Sequence, residues 1–219
     1  GHLLAWEQFP LPRRSSVARP KRSRRVMRGA LDLRSTTKTL EVRAQSGDVF
    51  VSFDMRRGGL ERYECGGKPL LVSGPELNLW RGILDNDGVK GKADQWTASY
   101  KPLGRWINAG IANSKPHLLC ASKVRQSGRD VCIRFEHEHR FPGQKAVLHV
   151  VQDIRVDAAG DLEVKLKAHL GEGSVDLPRL GFLMTLPAEL EHCEWLGRGP
   201  HESYCDRKAG AAVGRYKGT

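Results

Sequence analysis

The chain has 219 residues and a formal net charge of +11, with 39% hydrophobic and 28% charged residues, an ordinary make-up for a soluble globular protein. That length suits one large all-β domain or two smaller ones and is enough to bury a substantial core. No apolar run approaches the roughly 20 residues that cross a bilayer, which excludes a membrane-spanning helix. The charge invites a nucleic-acid reading, but it is concentrated. Arg13, Arg14, Arg19, Lys21, Arg22, Arg24, Arg25 and Arg28 fall between residues 10 and 30 with no acid among them. Such a run is a patch for an anionic partner or a solvated, self-repelling linker. The five cysteines, Cys65, Cys120, Cys132, Cys193 and Cys205, are odd in number and form no CxxC. Free, partly buried thiols in a reducing, intracellular setting, cytoplasmic or organellar, are therefore expected.

In chain order, residues 1–9 read as a strand with neither initiator Met nor signal peptide, which predicts a piece of a longer chain. Pro10, Pro12 and Pro20 then mark a linker over 10–30 that joins no sheet easily. Residues 31–219 form the main domain. Leu40–Ala44 and Asp48–Phe53 read as strands about the Ser46-Gly47 turn, and a short strand through Leu60 and Tyr63 lies between Gly58-Gly59 and Gly66-Gly67. Trp96, Tyr100 and Leu103 are spaced four and three apart, which predicts a short amphipathic helix. From His117 onward the pattern alternates. Val131, Ile133, Phe135, His137 and His139 share one face. Ala146, Leu148, Val150, Gln152, Ile154 and Val156 share another, as do Leu162, Val164, Leu166, Ala168 and Leu170. With Leu180–Leu186 and Cys193–Leu196, about nine antiparallel strands and little helix predict an all-β sandwich.

Two stretches stand out. Leu77–Gly91 drives two leucines and Trp80 toward a core, follows with Arg81, and then turns at Asp85-Asn86-Asp87-Gly88, a run of residues suited to tight turns. Gly197–Arg207 gathers two glycines, Pro200, Glu202, Tyr204, Asp206 and Arg207 into eleven residues. Together they resemble the C-terminal region of the bacterial-type (LacZ-like) β-galactosidases of glycoside hydrolase family 2. That family reads Arg-Ala-Pro-Thr-Asp-Asn-Asp at the first place and Gly-x-Gly-Pro-x-Glu-x-Tyr-x-Asp-Arg at the second. Gly58-Gly59-Leu60 with Gly67 and Leu70-Leu71 resembles its lead-in hairpin, and Pro178-Arg179-Leu180-Gly181 its strand before the second motif. Residues 1–9 resemble the end of the preceding immunoglobulin-like domain. The chain departs from the pattern at Gly82, Ile83, Leu84, Ser203 and Cys205; losing Pro at 83 releases a locked dihedral and restores a backbone donor.

The resemblance implies an antiparallel β-supersandwich of the galactose mutarotase type, continuing past Thr219. It also implies a parent enzyme that hydrolyses terminal β-D-galactosides with retention. The catalytic glutamates, and the Mg and Na that family enzymes often use, belong to a barrel domain this chain lacks, so no cofactor is expected here. The expected partners are the remaining β-galactosidase domains or subunits.

Asp85 and Asp87 are the tempting carboxylate pair for glycoside hydrolysis. In a turn, however, such side chains are spent on local hydrogen bonds, so no residue is assigned as acid, base or nucleophile. The chain alone is expected to be inactive. Trp80, Arg81, Asp85, Asn86 and Asp87, with Glu202, Tyr204, Asp206 and Arg207, are candidates to line a sugar pocket or contact the barrel. Equally, Trp80 suits a core and the charged residues suit internal salt bridges. Cys132, His137 and His139 make a poor metal set because Cys132 falls on the opposite strand face, and no metal is assigned. Free carbohydrate binding by the sandwich stays open. So does a structural subunit derived from such an enzyme, holding RNA or another anionic partner on residues 13–28.

Overall fold

The computed structural model describes residues 30–44, 48–89, 96–126, 129–142, 144–173, 176–201, 203–204 and 208–218. These fall into two units, one within Met27–Leu186 and one within Pro187–Thr219. The expected immunoglobulin-like strand over 1–9 and nearly all of the basic linker lie outside the described residues.

In the larger unit a five-stranded antiparallel meander runs in sequence order through β1 (Leu31–Ser35), β2 (Thr39–Ala44), β3 (Val49–Asp54), β4 (Gly59–Cys65) and β5 (Lys68–Leu71). β6 (Ser73–Asn78) follows, then helix α1 (Pro102–Asn108). A four-stranded antiparallel sheet then forms from β7 (Pro116–Gln126), β8 (Asp130–Arg140), β9 (Val147–Asp157) and β10 (Leu162–Leu170). β11 (Gly181–Thr185) returns to pair with β6. The smaller unit holds the antiparallel pair β12 (Cys193–Gly199) and β13 (Ala212–Gly218).

Period-two alternation explains the main core. Leu40, Val42 and Ala44 on β2, Val51 and Phe53 on β3, Val131, Ile133 and Phe135 on β8, and Ile154 and Val156 on β9 are all at most 2% exposed and pack as one cluster. The inner faces of the two large sheets thus bury each other, each large side chain contributing about 1.5–3 kcal/mol. The same face of β9 continues into a second cluster. There Leu148 and Val150 meet Leu103, Trp106 and Ala109 of the α1 segment, with Leu79, Ile111 and Phe141. One sheet is therefore covered partly by a sheet and partly by a helix.

The all-β antiparallel class agrees with the alternation, and the inward faces of β8 and β9 carry the residues expected there; on β10, Leu162, Val164, Leu166 and Leu170 are half-buried and Ala168 is exposed. Other expectations need correction. Thirteen strands are present among the described residues, not nine. β1 and β5 were too short and β13 too glycine-interrupted to show a period, and β7 is bulged twice, which breaks its alternation. The helix begins at Pro102, after Trp96 and Tyr100, which are 38% and 75% exposed. Pro102 sets the dihedral of the first turn and holds Lys101 extended, so the helix cannot start earlier. The strand leading to the acidic turn stops at Asn78, because the Asn78 side-chain oxygen accepts the Trp80 N–H at 3.0 Å and bends the chain there. Cys65, Cys120, Cys132 and Cys193 are not joined in disulfides, but only Cys132 is partly buried and the other three are exposed. Among the described residues no helix is long and apolar enough to cross a membrane.

Candidate functional site

The acidic turn is built by a short 3-10 helix over Asp85–Asp87. Its residues cannot all face solvent, and the structure separates the two acids. Asp85 and Asn86 are exposed at the tip, whereas Asp87 is 6% exposed. Arg81 meets Asp87 fork to fork, Nη1 donating to Oδ2 and Nη2 to Oδ1, both at 2.8 Å. Oδ2 also accepts the Leu84 backbone N–H at 2.8 Å. Three hydrogen bonds, two of them from the guanidinium, occupy the carboxylate in the geometry that makes arginine–carboxylate pairs strong.

Arg81 is fixed from further sides. Its Nε donates to the Pro178 carbonyl at 3.1 Å and its Nη1 to the Gly82 carbonyl at 2.9 Å. Its guanidinium carbon lies 5.0 Å from the Trp106 ring centroid, a cation–π distance. Trp80 stands edge-on to Trp106 with centroids 6.2 Å apart at 81°. Trp80 packs, partly buried, against the second core, so it serves as a wall of the Arg81 niche. The turn closes at Gly88, whose φ of 109° lies in the left-handed region and whose missing Cβ would stand 2.6 Å from Lys101 Cδ. Lys101 Nζ donates back to the Gly88 carbonyl at 3.2 Å. Although Ile83 replaces the family's Pro, the turn is pinned by Asp87, whose carboxylate takes the Arg81 guanidinium and the Leu84 N–H.

Of the predicted site residues, Trp80, Arg81, Asp85, Asn86 and Asp87 share one loop. Tyr204 is half-buried in the smaller unit. Glu202, Asp206 and Arg207 lie outside the described residues, as do Arg13, Arg14, Arg19, Lys21, Arg22, Arg24, Arg25 and Arg28. Sequence reasoning missed the roles of Trp106, Lys101 and the Pro178 carbonyl. The last joins the first motif to the Pro178–Gly181 segment, 97 residues away, and no local pattern signals a backbone acceptor.

Among the described residues no group of three or more His, Cys, Asp or Glu is placed to hold a metal ion. His137 and His139 point into the protein from β8, 7% and 3% exposed, while Cys132 falls on the other face. Burial, with the neighbouring His137, pushes the His139 pKa below the ordinary imidazole value, so that ring is neutral at pH 7.

Comparison with known proteins bears on what this loop belongs to. The family model described as "Beta galactosidase small chain" matches residues 45–219. A protein named beta-galactosidase from Psychromonas ingrahamii is 28% identical over 223 residues, covering 99% of this chain and 20% of that protein. One of the same name from Klebsiella pneumoniae is 28% identical over 217 residues, again covering 99% of this chain and 20% of the relative. One named beta-galactosidase 2 from Enterobacter cloacae is 30% identical over 218 residues, with 99% and 20% covered. The chain spans about a fifth of the length of these curated relatives.

Proposed function

The chain belongs to the beta-galactosidase small chain family, and from that premise we propose that it is the non-catalytic C-terminal part of a β-galactosidase. Its work is to hold a loop, and the sandwich under it, against the active-site side of a barrel domain that hydrolyses terminal β-D-galactosides with retention. The observation that carries this reading is Asp87. Both of its oxygens are taken by Arg81 and the Leu84 amide, and burial keeps it from solvent. A carboxylate buried and bonded in this way is spent on the loop rather than presented to a sugar, and it clamps a turn well. The clamp leaves Asp85 and Asn86 outward at the tip, where a neighbouring domain can meet them. Mg and Na belong to the barrel in this scheme, so chelation leaves the melting temperature of this chain unchanged.

The test is complementation. The 219-residue chain, purified alone, releases no nitrophenol from a nitrophenyl β-galactoside. Mixed with a curated relative cut to lack the matching fifth of its length, it restores turnover, and Asp87→Asn lowers that restored rate. Turnover by the isolated chain that Asp87→Asn abolishes would overturn the reading.

A further inference from the structure

The outer face of the four-stranded sheet carries three histidines in one cross-strand row. The register sets His117 of β7 opposite Glu138 of β8, Glu138 opposite His149 of β9, and His149 opposite His169 of β10. Directly opposite residues share a face. Parity makes this the outer one, because Leu148 and Val150 on either side of His149 are buried. All three histidines are exposed, and none of their rings makes a hydrogen bond among the described residues.

His149 and His169 are neighbours with no strand between them. Their register is pinned one pair further along, where the Gly171 N–H donates to the Val147 carbonyl at 2.8 Å. Directly opposite residues have Cβ atoms about 4.5–5.5 Å apart. Two imidazoles turned toward each other across that gap close on one ion with metal–nitrogen bonds of about 2.0–2.1 Å. Beside His149 lies an open hollow of about 450 Å³, bordered by Lys145, Gly171 and Glu172, which leaves room for the water ligands of such an ion. No third His, Cys, Asp or Glu gathers with the pair as the side chains stand. Glu138, opposite His149 on its other side, is engaged by Arg140.

We propose that His149 and His169 form a two-histidine chelate for a divalent transition ion of the zinc or nickel kind, with water completing the coordination. The donor set decides the class. Imidazole nitrogen suits zinc, copper and nickel, whereas Mg²⁺ takes oxygen ligands. Charge does not draw the ion in, since Lys145 borders the hollow and Lys167 lies on the same face of β10, two residues from His169. Affinity therefore comes from the two coordinate bonds. A bound ion ties β10, the edge strand of this sheet, to β9 and stabilises the folded chain, which alone holds the rings together. The site lies apart from the Arg81–Asp87 turn and does not rest on the scaffolding role.

Calorimetry and thermal melts at pH 7.5 test it, with Zn²⁺ and Ni²⁺ as probes and Mg²⁺ as the control ion. The full 219-residue chain carries His2→Ala throughout, which removes the histidine next to the amino terminus. Saturable binding of Zn²⁺ and Ni²⁺ is expected, with Mg²⁺ at least tenfold weaker. His149→Asn and His169→Asn each lower affinity at least tenfold, and combining them lowers it little further, because either loss opens the chelate. His117→Asn leaves affinity within twofold, since β8 separates it from the pair by about 9–10 Å. Zn²⁺ raises the melting temperature of the parent chain and fails to do so in either single variant. Both rings are exposed, so metal-free melts of the variants match the parent. Lack of saturable binding would overturn the proposal, as would Mg²⁺ binding as tightly as Zn²⁺. So would undiminished affinity, or undiminished stabilisation by Zn²⁺, in either single variant.

Discussion

Gly104, inside helix α1, lies so close beneath Ala98 that a Cβ on it would stand 2.0 Å from the Ala98 carbonyl oxygen. On propensity alone, alanine at this helical position would stabilise by about 1 kcal/mol. The packing reverses that sign. Gly104→Ala forces backbone against backbone and is expected to destabilise by roughly 2 kcal/mol or more, read as a lower urea midpoint. A raised midpoint would show that the approach is looser than described.

The Arg81–Asp87 pair is buried, with side chains 13% and 8% exposed, so removing one partner strands the other. Asp87→Ala is expected to cost on the order of 3 kcal/mol, while Arg81→Met with Asp87→Leu together cost less than the sum of the single changes. A double-mutant cycle on chemical denaturation measures the coupling. Additive losses would mean that the two groups do not hold the turn jointly.

Phe53 is 0% exposed and its ring centroid lies 6.2 Å from that of Phe135, at the centre of the contact between the two large sheets. Phe53→Ala is expected to lose about 3–5 kcal/mol. Leu196, 81% exposed on β12, supplies the contrast: Leu196→Ser should move stability by no more than about 0.5 kcal/mol. Urea titration of both variants checks the pair.

His139 carries a pH dependence whose sign follows from its environment. Its folded pKa is lowered by burial, then by His137, so the unfolded chain takes up the proton first. The stability this brings is complete above the unfolded value of about 6.5 and is lost as pH falls from there through the folded pKa. His139→Gln should therefore flatten the fall in urea midpoint between about pH 7.5 and 5.5. An unchanged slope would contradict the assignment.

Asp153 acts in a lower window. Its carboxylate is held below the ordinary value by the Arg134 hydrogen bonds, of 2.7 and 2.9 Å across β8 and β9. The contribution is present above the unfolded value of about 3.9 and disappears as pH drops through the lower folded one. The pair is partly exposed, at 36% and 21%, so its worth is below about 1 kcal/mol. Asp153→Asn should remove that acid-side loss while leaving the His139 window unchanged, as urea midpoints across both ranges will report.

By itself, the sequence determined what repeats locally. Strict alternation in Val131–His139 and Ala146–Val156 told which side chains turn inward, because a strand's faces are set by residue parity alone. Spaced motifs gave the family, since ordered matches separated along a chain carry information that no single turn does. Helix and strand limits were decided by particular neighbours instead, by Pro102 before α1 and by Asn78 bending the chain before Trp80. Only the tertiary structure told Asp85 from Asp87, two identical side chains in one turn, one left in solvent and one clamped by Arg81. It alone brought the Pro178 carbonyl to Arg81 and the Arg57 carbonyl to His137. Those partners are backbone atoms far along the chain, chosen by sheet packing, and a linear pattern of side chains carries no record of them.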